Sequence, residues 1–190
     1  MQHYITRINK IKNTFVSSGV KISFETVKRY IQGLQDSLLF YSAAQFKVRG
    51  RELLQSSEKY YLVDIGLSNT LLGKHKNSDR GHILENIVYL ELLHRGYQVW
   101  TGASRHCEID FVCKTPSGDI EYYQVAWEMS NEKTVEREFG SLEKISDNYP
   151  KYILTTESFT VNPTDGYGLI ETLTAADDAE EQPFWVITAV

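Results

Sequence analysis

The stretch Glu108-Ile109-Asp110-Phe111-Val112 and the following Tyr123-Gln124-Val125-Ala126 hold the residues whose types and spacing can do chemistry. Alternate residues of a strand share a face. Glu108 and Asp110 are then expected on one face, and Ile109, Phe111 and Cys113 on the other. Gln124 and Ala126 share a face of the next strand. In an antiparallel hairpin of normal register, Asp110 and Gln124 lie side by side. Glu85, on the helix before them, approaches from one flank. Two or three oxygen donors converging at a sheet are what a hard divalent cation, Mg²⁺ or Mn²⁺, requires. Metal-dependent phosphodiester cleavage also requires a group that positions or activates water, commonly a lysine. Ala126 cannot serve a water. Lys114 is expected to share the Asp110 face, but four residues along a strand place it about 13 Å away.

Other readings of these residues stay open. Glu108 and Asp110 are also what a solvated edge strand carries. His106 shares parity with them, and His82 lies one turn before Glu85, so a histidine-containing zinc site is conceivable beside ordinary hydrogen bonding. Glu132, Glu136 and Glu138 with Lys133 and Arg137 read as helix-surface charges. Tyr60-Tyr61 and Tyr122-Tyr123 read as sheet packing rather than base-stacking platforms.

The elements that must position these residues follow from periodicity. Residues 4–16 repeat Tyr4, Ile8, Ile11 and Phe15 at helical spacing. Ser23 is an N-cap for a second helix, whose buried face is expected to be Phe24, Val27, Ile31 and Leu34. Leu38–Tyr41 and Ala44–Phe46 read as a strand, Lys47–Arg51 as an exposed basic turn, and Glu52–Leu54 as a second strand. Lys59–Asp64 is β-prone and leads into a short helix. Residues 73–81 are polar and Gly-bounded, which sets a boundary between units 1–72 and 73–190. The second unit reads as a helix over 82–95 with Gly96 after it, strands at 97–100, 108–114 and 120–127, a helix over 132–145, a strand at 151–155 and a last strand at 184–188. The fold class is therefore α/β (α+β) with a mixed central sheet.

Charge divides along the same line. Residues 1–60 hold ten Lys/Arg against four Asp/Glu, a balance of +6 within a chain whose net charge is −5, so the remainder carries −11. Lys28, Arg29, Lys47, Arg49 and Arg51 make the first part the candidate for DNA phosphates. Hydrophobic residues at 42% argue for a packed core. No apolar run reaches the ~20 residues a membrane helix needs. Met1 to Phe15 alternates charge and apolarity, unlike a signal peptide. Two cysteines without metal spacing suit a reducing, cytoplasmic setting.

Several segments together carry a family resemblance. They are Arg80-Gly81-His82-Ile83-Leu84-Glu85-Asn86, Glu108–Val112, Gln124-Val125-Ala126 and Thr134-x-Glu136-Arg137-Glu138. These resemble the domain of unknown function that follows an AAA+ ATPase domain in many prokaryotic proteins, itself similar to PD-(D/E)XK nucleases. Thr26-Val27-x-Arg29-Tyr30-Ile31 through Lys59–Asp64 resembles the winged-helix linker of the same proteins. The resemblance spans roughly residues 18–156. It implies a winged helix followed by a restriction-endonuclease-like domain, with an ATPase domain upstream. Glu85 falls at the helix acid, Asp110 at the "D", Gln124 at the "(D/E)" and Ala126 at the "K". With the last two replaced, a nuclease-like fold without nuclease activity is implied, and a Mg²⁺-dependent nuclease is the alternative. No GxxxxGK[ST] is present, so no nucleotide hydrolysis is expected of these residues.

Overall fold

The structure is a computed structural model and describes residues 8–50, 52–72, 80–104, 108–129, 131–156, 170–173 and 185–189. The chain divides into two compact units, Met1–His75 and Lys76–Val190. It is a mixed α/β molecule of the α+β kind.

The first unit runs α1 (Ile8–Ser17), α2 (Phe24–Asp36), β1 (Phe40–Lys47), β2 (Glu52–Leu62) and α3 (Ile65–Leu72). Ser23 caps α2 as expected, its hydroxyl accepting from the Thr26 N–H at 3.0 Å. Two expectations need correction here. Leu38 and Leu39 are not strand. Leu38 takes a left-handed φ of 56°, and the Leu38 and Leu39 N–H groups bond back to the Gln35 and Leu34 carbonyls, closing α2 before β1 starts. The two β-prone stretches after the turn form one strand, not two. Ala44 pairs with Glu58 and Gln45 with Leu54, so β2 carries an irregularity inside a continuous ladder with β1. Tyr4 and Arg51 lie outside the described residues.

The expected buried face of α2 is also corrected. Val27 alone on this helix is buried; Ile31 is half-buried, and Phe24 and Leu34 are each 38% exposed. α1 buries none of its ten residues. The periodicity was right for a helix, but within the first unit too little packs against its apolar stripe to cover it.

The second unit runs α4 (Arg80–His94), β3 (Gln98–Ala103), β4 (Glu108–Lys114), β5 (Ile120–Ala126), α5 (Glu132–Glu143), β6 (Lys151–Thr155), β7 (Ile170–Leu173) and β8 (Trp185–Ala189). Its strands lie in the order β3-β4-β5-β6-β8-β7. β3, β4 and β5 are antiparallel neighbours, β5 and β6 are parallel, and β8 runs antiparallel to both β6 and β7. The parallel pair follows from α5, which supplies the long return a parallel neighbour needs. Gly96, at φ +80°, closes α4, with the Tyr97 N–H bonded to the Leu92 carbonyl. Asn131 caps α5, its side chain accepting from the Thr134 N–H at 2.9 Å. Phe111 and Val112, neighbours on β4, are both 0% exposed, so both faces of the sheet are covered there. Tyr89 of α4 meets Phe111, ring centroids 6.0 Å apart. Phe139 and Leu142 of α5 complete the core. Tyr61, Tyr122 and Tyr123 are buried too, which fits the packing reading of the tyrosine pairs.

Candidate functional site

The site is built where β4 and β5 part. Their ladder runs from Lys114 opposite Ile120 to Phe111 opposite Tyr123, and the next position would set Asp110 opposite Gln124. There the backbones stop pairing and side chains take over. The Asp110 N–H donates to Gln124 Oε1 at 3.3 Å, and the Val125 N–H donates to Asp110 Oδ2 at 2.8 Å. Asp110 and Gln124 therefore lie side by side, as the hairpin register requires. Each supplies an acceptor to the other strand's backbone, and together they hold the split in the sheet. Ala126 is buried on β5 opposite Thr155 of β6.

On its other edge β4 carries a bulge. Trp100 pairs with Val112 but Gly102 with Ile109, so Thr101 faces the two residues Asp110 and Phe111. A Cβ on Gly102 would stand 2.6 Å from Ile109 Cβ and 3.0 Å from Val112 Cγ2. Only glycine fits that approach. Ile109 and Val112, three apart, thus both line Gly102, which a regular strand forbids. The alternation assumed from the sequence fails at this point, and the shared face of Asp110 and Lys114 cannot be carried across it. Lys114 is exposed at the far end of the strand. The edge-strand reading of Glu108 and Asp110 is also corrected: β4 is internal and both residues are half-buried. The Thr101 hydroxyl is buried without a hydrogen-bond partner beside this bulge.

Glu85 is buried one turn before Tyr89, on the side of α4 that meets the sheet. His82 Nδ1 stands 3.8 Å from Glu85 Oε2. Glu138, expected on the surface of α5, is instead buried, and Arg137 donates to its carboxylate through Nε at 2.8 Å. Arg80 lies over the Trp127 ring, 5.5 Å from its centroid. Burial, then the Glu121 charge, pushes the Cys113 thiol well above its ordinary value, so it stays protonated and inert. His106 and Cys107 lie outside the described residues.

Asp110 Oδ2 and Gln124 Oε1 already accept backbone N–H groups. Among the described residues no three His, Cys, Asp or Glu side chains converge to hold a metal ion.

In the first unit, Lys28 and Arg29 on α2 and Lys47 and Arg49 at the β1–β2 turn are all exposed. Gly50, at φ +128°, supplies the left-handed residue of that turn.

The bulge is what the sequence reading missed. Gly102 inside the β-prone Trp100-Thr101-Gly102 was the available signal, since an interior strand glycine marks a bulge or a close approach.

Among the described residues no helix is long and apolar enough to cross a membrane. No solved structure matches the chain. Residues 2–78 match a domain of unknown function (DUF8612). An uncharacterized protein of Haemophilus influenzae is 39% identical over 162 residues, covering 85% of this chain and 39% of the relative. An uncharacterized protein of Methanocaldococcus jannaschii is 30% identical over 186 residues, covering 94% of this chain and 39% of the relative. The chain is similar to both and spans about two fifths of their length.

Proposed function

We propose that this chain is the non-ATPase part of a longer, cytoplasmic AAA+-type protein, in which a winged-helix-like unit contacts DNA and a nuclease-like unit recognises without cutting. The observation that carries this reading is the state of the split between β4 and β5. Asp110 and Gln124 are engaged in bridging the strands, and the position expected of a lysine is a buried alanine. Losing one preorganised group of this kind typically costs about 10²–10³ in rate. The order α4-β3-β4-β5-α5-β6, with β5 and β6 parallel, supports the likeness to PD-(D/E)XK nucleases. The order of two helices and a hairpin with a basic turn supports the likeness to a winged helix. The length of the relatives supports a larger parent protein.

A plasmid-nicking assay with Mg²⁺ or Mn²⁺ tests the non-catalytic part. We expect no cleavage above background. Metal-dependent nicking that disappears in Asp110→Ala would establish a nuclease and overturn this reading. A gel shift at low salt tests the DNA part. Duplex binding should be weak, indifferent to sequence and steeply salt-dependent, because phosphate contacts release counterions. Arg49→Ala with Arg51→Ala should weaken it; unchanged binding removes the hairpin turn from the interface.

A further inference from the structure

Every large apolar side chain that stands exposed among the described residues lies between Phe15 and Leu67, in the first unit. Among the residues of the second unit whose burial is described there is none. The pattern is organised along two helices. On α2, Phe24, Tyr30 and Leu34 are spaced to lie on one side with the buried Val27, and on α1 the stripe ends at Phe15. Leu38, held in a left-handed turn and 62% exposed, adds apolar surface just past the end of α2. An apolar surface of this extent marks an interface rather than free solvent.

Charge selects what covers it. Exposed Lys10, Lys21 and Lys28 flank the stripes, and residues 1–60 carry +6. Two copies meeting through this surface would bring like charges together, which is costly at an interface. A patch that is apolar at its centre and acidic at its rim is the complement. Length says where such a patch resides: the matched segment is only 39% of either relative, so each carries more chain outside it than within it. A domain on the same polypeptide is present at high effective concentration.

We propose that the apolar faces of α1 and α2 are the seat of another folded domain of the same longer polypeptide, which meets them through an apolar patch rimmed by acidic side chains. The inference rests on the proposed function only in placing these residues within a larger protein. The nicking and gel-shift results leave it untouched.

Two measurements test it. First, the 190-residue chain is examined by light scattering and with the apolar dye bis-ANS. It should be monomeric and bind dye, and Phe24→Ser with Leu34→Ser should lower dye fluorescence several-fold while the chain still unfolds in one cooperative transition, only a few degrees lower at most. A stable dimer that excludes dye until those two positions are changed would overturn the proposal in favour of a second copy. Second, a photo-cross-linking residue is placed in the intact Methanocaldococcus jannaschii relative at the positions matching Phe24 and Leu34. The cross-link should form within one chain, to residues outside the matched segment. Cross-links between chains, or none, would overturn the proposal.

Discussion

The two units follow the same local rules and differ in what they bury. Both have capped helices, at Ser23 and Asn131, and both pair antiparallel strands. The second unit closes over Ile109, Phe111, Val112 and Leu142, none of them measurably exposed. The first leaves much of the apolar stripes of α1 and α2 open. Amphipathic periodicity therefore specifies a helix and a face that seeks cover, but not whether the cover comes from the same unit. Among its described residues the first unit fully buries only Val27, Ala43 and Tyr61 of its apolar side chains, a small core for its size.

The largest expected effects lie in the second core. Phe139→Ala should cost about 3–5 kcal/mol in a thermal or urea melt. Leu34→Ala, on the exposed stripe of α2, should cost about 1 kcal/mol or less in the same chain. Ile31→Ala should fall between the two, and Lys28→Ala should stay under about 0.5 kcal/mol. A loss at Leu34 as large as that at Phe139 would mean that the stripe is covered within the 190 residues, and the contrast between the units would fail.

Gly102→Ala is the next step down. The added methyl would stand 2.6 Å from Ile109 Cβ, closer than packed carbons come, and 3.0 Å from Val112 Cγ2, and overpacking of this kind costs about 1–3 kcal/mol. A neutral outcome would show that the bulge relaxes freely and does not fix Asp110.

Asp110→Ala leaves the Val125 N–H without its acceptor, at a cost of about 1–3 kcal/mol. Asp110→Asn keeps an oxygen in place and should recover most of that. Equal losses in the two variants would show that the carboxylate acts through its charge rather than by bridging the strands.

Most of the frame was legible from the residues, and the reasons it stopped being so are physical. Ser23 before an apolar 3-4-3 run, and Lys151–Thr155 as a short β-prone run, are local signals, and the elements lie where those signals put them. The adjacency of Asp110 and Gln124 followed from hairpin register alone. What was lost depends on contacts distant in sequence. The alternation along β4 fails because Gly102 of another strand admits both Ile109 and Val112 to one face. Glu138 looked solvated because charge in a helix reads as surface, whereas the neighbouring Arg137 lets the carboxylate be buried. Leu38 looked like strand by composition, but the end of α2 requires a left-handed residue there.

The smallest expected effect is confined to alkaline pH and compares one motif in both units. Glu58-x-Tyr60 on β2 and Glu121-x-Tyr123 on β5 place a carboxylate two residues before a tyrosine, on the same face of a strand. Tyr60 Oη donates to Glu58 Oε2 at 2.8 Å, and Tyr123 Oη donates to Glu121 Oε2 at 2.6 Å. Burial raises both phenols above their ordinary value, and the hydrogen bond to the carboxylate and its charge add to the shift. Tyr123 is the more deeply buried and stacks on Tyr152, with ring centroids 5.1 Å apart, so it should resist ionisation more. The sign follows from linkage. Below about pH 10 the phenol is protonated in both the folded and unfolded chain, and its contribution is fully present. Above that pH the unfolded chain ionises first, so stability falls as pH rises toward the folded-state value. Urea melts from neutral pH upward should show this alkaline slope in the wild type. Tyr60→Phe and Tyr123→Phe should each remove one proton's share of that slope, while each costs about 1 kcal/mol at neutral pH for its lost hydrogen bond. A slope that Tyr60→Phe leaves unchanged while Tyr123→Phe flattens it would mean that Tyr60 ionises alike in the folded and unfolded chain, and that in this respect the first unit is the more open of the two.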